Sequence, residues 1–227
     1  MIKYYLSSLF YLNFLRRRNM KIKNNSHATR WLPFAFNAAL SVTILVFLFF
    51  TQNADGVICV QILSSMTVPA VIPIAEIISG KKMPMILNTI ITVHIFLAIL
   101  LGSALDFYER FYAWDMLVHC LFGFEAALGI SIIMVKNGAQ SVGKSLFCTL
   151  LSLSVMGCAA LWEMFEFVCD RILDADAQRV GESLALGFSP LYDTITDIIV
   201  TAVGVFLFFA VILLDKVTGK RLCGLLY

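Results

Sequence analysis

The chain has 227 residues, 60% of them hydrophobic and 14% charged, and its mean hydropathy is +0.87. That mix lies outside the usual range of water-soluble globular domains, and a net charge of +2 gives no basis for a nucleic-acid-binding surface. A bilayer core of about 30 Å needs about 20 apolar residues per helix, so the chain is expected to cross a membrane repeatedly.

The first 30 residues stand apart. IKYYLSSLFYLNFL is aromatic and apolar but too short to span, and RRR follows it. A secretory signal places its charge before the apolar core and a small-residue cleavage site after it, which is not the order here. Two readings remain open: an amphipathic anchor in the interface, or translation beginning at Met20, where MKIKNNSHATR makes an ordinary basic leader. The second is favoured. The rest, 31–227, reads as a single membrane domain.

Six apolar windows follow in order: Leu32 to Thr51, Gly56 to Ile78, Met83 to Leu105, Met116 to Val135, Ser145 to Phe167 and Ile195 to Leu214. They lack the alternation of barrel strands and are too long for strands, so helices must satisfy the backbone within lipid. The expected fold is all-α, a polytopic membrane bundle of about six helices. Pro69 and Pro73 are expected to kink the second. The connections are short except Val168 to Tyr192, whose VGESLALGFSP either rests on the outer interface or dips back over the helix ends.

All of the 17 Lys and Arg except Arg110, Arg171 and Arg179 fall in the N-terminal segment, the second and fourth connections and the tail. Cytoplasmic loops collect such residues, so both termini are expected in the cytoplasm and the chain in the plasma membrane. The acids show the reverse bias; only Glu76, Glu125 and Asp215 depart from the outer side. The six cysteines are scattered with no C-x-x-C and read as core residues rather than a disulfide framework.

Charges in apolar helices are costly, about 2.5–3.5 kcal/mol each at mid-bilayer on insertion scales, and usually face a bundle interior or a watery cavity. Asp115 and His119 stand at i and i+4, about 40° apart, on the outer end of the fourth helix. Glu163, Glu166 and Asp170 share a face at the outer end of the fifth, and Asp193 and Asp197 repeat the i, i+4 spacing at the start of the sixth, with Gly204 deeper in. An acid near a helix end often only meets headgroups, and Asp115 and Asp193 also suit a first turn or an N-cap. Three helices with polar stripes at one level weaken that reading, because converging carboxylates repel unless a proton, an Arg such as Arg110, Arg171 or Arg179, or a cation neutralises them. The candidate pocket is therefore Asp115, His119, Glu163, Glu166, Asp193 and Asp197.

Of these, Asp115, His119, Glu163 and Asp197 are the candidate metal ligands. Carboxylates with one imidazole suit Mg²⁺, Mn²⁺ or Ca²⁺, and with fewer carboxylates Zn²⁺. Without metal, His119 oriented by Asp115 can act as a general base with a Glu as acid.

MTVPAVIPIAEIISGKKMP, FYERFYAWDMLVHCLFGFEAALG, WEMFEFVCD and YDTITDIIVTAVG, in that order, resemble the uncharacterised bacterial membrane proteins of the YjdF type. The Asp-x-x-x-His pair, the Glu on the next helix and the Asp-x-x-x-Asp before a Gly are more distantly similar to VanZ-like proteins, which are linked to glycopeptide resistance. The resemblance implies an envelope setting and no particular reaction. The pattern tends to carry Asn where this chain has Thr201.

The expected function is recognition or modification, in an outward-facing acidic and His-containing pocket, of a polar headgroup or of a lipid-linked or cell-surface component. A transporter or proton-coupled carrier is the alternative suggested by Asn37, Gln61, Glu76, Asn88, His94 and Glu125 within the helices. A non-catalytic membrane scaffold is the third. The bilayer is the one partner that composition implies.

Overall fold

The structure is a computed structural model that describes residues 31–50, 56–80, 85–173 and 176–218. The N-terminal segment, with the choice between Met1 and Met20, lies outside the described residues.

Among the described residues every element is helical, and six helices are long and apolar enough to cross a membrane. α1 is Leu32–Phe50, and α2, Gly56–Thr67, gives way to a 3₁₀ turn at Val68–Ala70 before α3, Val71–Ser79. The break falls at Pro69, which has no N–H for the helical ladder, as the sequence leads one to expect. α4, Met85–Ile95, continues into a π-helical stretch, Phe96–Ala104, and the short α5 spans Phe107–Arg110. α6 is Trp114–Lys136, α7 Lys144–Leu173, α8 Val180–Ala185 and α9 Tyr192–Thr218.

The described residues group into two compact units, one reaching Val118 and including Asp215–Thr218, the other His119–Leu214. The boundary falls inside α6, which is continuous across it.

In the N-terminal unit the core is Ile62, Leu100 and Ala104, with Ile44, Leu45, Leu48, Ile58, Met66 and Phe96 packed around them. Lipid tails are as apolar as these side chains, so packing detail and hydrogen bonds must hold the helices together. Asn37 Nδ2 donates to the Ser65 carbonyl at 2.6 Å, and the Ser41 and Ser65 hydroxyls lie 2.9 Å apart, all buried between α1 and α2. Asn37 and Asn88 are thus buried polar residues, as are Glu76 and, in the other unit, Glu125. The Trp114 indole donates to the carbonyl of Leu97 in the π stretch at 3.3 Å, and Phe107 stacks edge-on against it, fixing where α6 begins.

In the C-terminal unit, α7 buries Phe147, Leu151, Val155, Ala159 and then Glu163 at four-residue steps. α9 buries Asp197, Thr201, Val205 and Phe208 at steps of four, four and three residues. Each stripe is polar at one end, with Glu163 on α7 and with Asp197 and Thr201 on α9, and apolar beyond it.

Helix limits differ from the hydropathy windows in one instructive place. α7 runs six residues past Phe167, because Cys169, Asp170 and Arg171 end an apolar window without ending a hydrogen-bond ladder. The long connection is correspondingly shorter and contains α8. The described cysteines, Cys59, Cys120, Cys148, Cys158 and Cys169, are free thiols.

Candidate metal centre

Two helices of the C-terminal unit, α6 and α9, make backbone contact. A Cβ built on Gly123 would overlap the Thr201 carbonyl, and one on Gly204 would overlap the Cys120 carbonyl and lie 3.0 Å from the Gly123 Cα. Only glycine allows that approach. The contacts advance in step along both chains, from His119 and Thr201 through Gly123 and Gly204 to the edge-on Phe124 and Phe208 rings, so α6 and α9 run parallel.

Close approach brings the first polar turn of α6 against that of α9. His119 Nε2 lies 3.7 Å from Asp197 Oδ2, with the two residues 8% and 2% exposed. Asp115 sits one turn before His119 on the same helix. Asp115, His119 and Asp197 can each present one ligand atom, and these atoms all lie within 4.8 Å of one another. Donors about 2.1 Å from a tetrahedral ion lie about 3.4 Å apart, so modest side-chain adjustment would seat one.

Two further features hold the group in place. The fully buried Thr201 donates through Oγ1 to the His119 carbonyl at 3.4 Å, tying α9 to α6 one turn below Asp197. Thr201 therefore contributes here through its hydroxyl. Both helices also begin at this end, and their positive dipole ends favour the carboxylates of Asp115 and Asp193, which lie in the first turns.

Of the six residues singled out in the sequence, the structure gathers Asp115, His119 and Asp197. Glu163 is buried on α7 but is not among the three ligands. Glu166 is half-buried and accepts from the Trp162 indole of its own helix at 2.7 Å. Asp170, expected on the same stripe, serves the loop instead: its carboxylate accepts the backbone N–H of Ala177 at 2.6 Å and of Gln178 at 3.1 Å. Arg110 pairs with Asp106 at 3.8 Å, both well exposed, and Arg171 lies over the Phe167 ring. Arg179, buried, is paired with Glu182. The role of Gly123 was missed by sequence reasoning; small residues on facing helices were the available signal.

These features define a multi-pass helical membrane protein with an Asp/His/Asp group held between two parallel helices. The chain belongs to the family described as "Predicted membrane protein (DUF2238)", whose model matches residues 33–216. No curated protein and no solved structure matches it.

Proposed function

We propose that Asp115, His119 and Asp197 hold a divalent cation in a pocket opening to the outer face of the plasma membrane. There the pocket recognises or modifies a polar headgroup of a lipid-linked or cell-surface component. The observation that carries this reading is the convergence of one imidazole and two carboxylates within 4.8 Å. Two carboxylates so close in a poorly solvated setting call for a compensating charge, and the imidazole adds a nitrogen donor. One nitrogen and two oxygens suit Mn²⁺ or Zn²⁺ better than Ca²⁺, which takes six to eight oxygen ligands. Three protein ligands leave coordination positions open. A cation there supplies charge stabilisation to a phosphate or carbonyl oxygen. His119, held by Asp197 and by the Thr201 bond to its backbone, keeps the donor set aligned. The likeness of the four sequence motifs to YjdF-type proteins, and of the Asp-x-x-x-His, Glu and Asp-x-x-x-Asp layout more distantly to VanZ-like proteins, supports an envelope role.

Metal analysis of the purified full chain tests the reading. About one ion per chain is expected, reduced to background in Asp197→Asn and His119→Gln. Wild-type protein that stays metal-free after incubation with Mn²⁺ and Zn²⁺ would overturn it.

A carrier reading draws on Glu125, buried well inside α6, and on Glu76, buried beside the broken helix after Pro69. Solute or proton flux in proteoliposomes that responds to Glu125→Gln would favour it.

A further inference from the structure

The connection between α7 and α9 is built inside out for a segment facing water. Ser183 is 4% exposed and Arg179 is buried, while Leu184, Leu186, Phe188 and Leu191 point outward, Leu191 at 64%. From Leu184 to Leu191 the chain carries no charged residue. A loop in water would turn those side chains in and let the polar ones out.

The conformation is pinned at several points. Asp170 receives the N–H groups of Ala177 and Gln178, and Asp176 receives that of Gly181. Gln178 Nε2 donates to Thr194 Oγ1 at 3.0 Å, one turn before Asp197 on α9. The Phe188 ring stacks on Tyr192 at 4.1 Å. The outward apolar side chains are therefore fixed by the fold.

We propose that Leu184 to Leu191 lies in the bilayer interface at the end where α9 begins, so that the substrate of the neighbouring pocket is a membrane-borne, acyl-anchored molecule arriving from the lipid. The substrate clause rests on the pocket reading above; the placement of the segment does not. Continuity selects lipid as the occupant: Ile172 on the last turn of α7, and Ile195 and Ile199 on α9, are exposed on helices that cross the membrane, and the apolar run joins these helices. An apolar, aromatic-bearing segment next to helix ends partitions into the headgroup and upper acyl region.

The test uses the full chain in phosphatidylcholine and phosphatidylglycerol vesicles, with Phe188→Trp and Leu191→Trp examined as difference spectra against the wild type. Blue-shifted added emission is expected, quenched more by lipids brominated near the carbonyl end of the acyl chain than by lipids brominated at its middle. Emission typical of water and quenched by iodide alone would overturn the placement. So would blue-shifted emission insensitive to brominated lipid, the result for burial against a second copy of the chain. Leu191→Glu separates the two proposals: it is expected to weaken capture of phosphatidylglycerol relative to soluble glycerophosphoglycerol while leaving metal content unchanged. Equal capture of the two probes by the wild type would overturn the substrate clause alone.

Discussion

His119 and Asp197 are 78 residues apart in sequence and face each other across two parallel helices, Nε2 to Oδ2 3.7 Å, both nearly sealed from solvent. Truncating either partner leaves the other in a poorly solvated site, a loss of about 3–5 kcal/mol for buried pairs. His119→Ala and Asp197→Ala are each expected to lower the melting temperature in detergent. The double variant should lose less than the two singles combined, with a coupling of about 1–3 kcal/mol. Additive losses would show that the two side chains do not interact.

The backbone contact beneath them makes a second prediction. Gly123→Ala and Gly204→Ala each place a methyl group into a neighbouring main chain, which cannot yield as a flexible side chain would. Overpacking of this kind costs about 1–3 kcal/mol. Both variants are expected to melt earlier and to lose bound metal together. Gly157→Ala, with open space around its new Cβ, is the control and should match or exceed wild-type stability. Equal behaviour of all three would show that the α6 and α9 backbones do not touch.

The helices were legible because apolar length is a direct readout of membrane thickness. The break at Pro69 was legible because proline lacks a donor. The π stretch at Phe96–Ala104 was not: FLAILLGSA has the same apolar character as an α-helical span. The Asp/His/Asp group was half legible. The i, i+4 spacing put Asp115 and His119 on one face, but whether an acid on another helix meets them depends on helix register. That register is set by Gly123 and Gly204, whose partners no local pattern reveals. The same limit explains Asp170: its spacing from Glu163 and Glu166 fits a shared stripe, yet the N–H groups that claim it belong to the returning loop.

Asp170 carries a prediction of its own. Its carboxylate gathers two backbone donors, which makes it the hook that turns the chain after α7. Asp170→Ala should expose those amides, raising hydrogen exchange across 176–185 by an order of magnitude or so, since charge-assisted bonds contribute about 1.5–3 kcal/mol and this one is only partly buried. Metal content should be unchanged because Asp170 is not among the three ligands. Unaltered exchange would mean that Gln178, Thr194 and Asp176 hold the loop without it.

Thr201 bonds to the His119 carbonyl at 3.4 Å, a long hydrogen bond. Interhelical hydrogen bonds within membranes average about 0.6 kcal/mol, so Thr201→Val should cost about that much while keeping the packing volume. Thr201→Ser keeps the hydroxyl but removes a methyl from a fully buried position. It is expected to retain more bound metal than the Val variant at equal melting temperature. The reverse order would assign Thr201 to packing alone.

The expected orientation is read from the cationic loops, and three arginines lie outside them. Arg110 is neutralised by Asp106 and Arg179 by Glu182, while Arg171 lies over an aromatic face. Orientation follows the number of Lys and Arg rather than net charge, and these three stand against fourteen in the segments expected to face the cytoplasm. The basic residues that flank the first and last spans, Lys21, Lys23 and Arg30 before Leu32 and Lys216, Lys220 and Arg221 at the far end, lie within the distance over which charge fixes orientation. A reporter active only outside the cytoplasm should therefore be silent when fused after Tyr227 and active when fused after Gly187. The opposite pattern would invert the molecule, placing Asp115, His119 and Asp197 toward the cytoplasm and ending the envelope-facing reading without bearing on the proposal that they hold a cation.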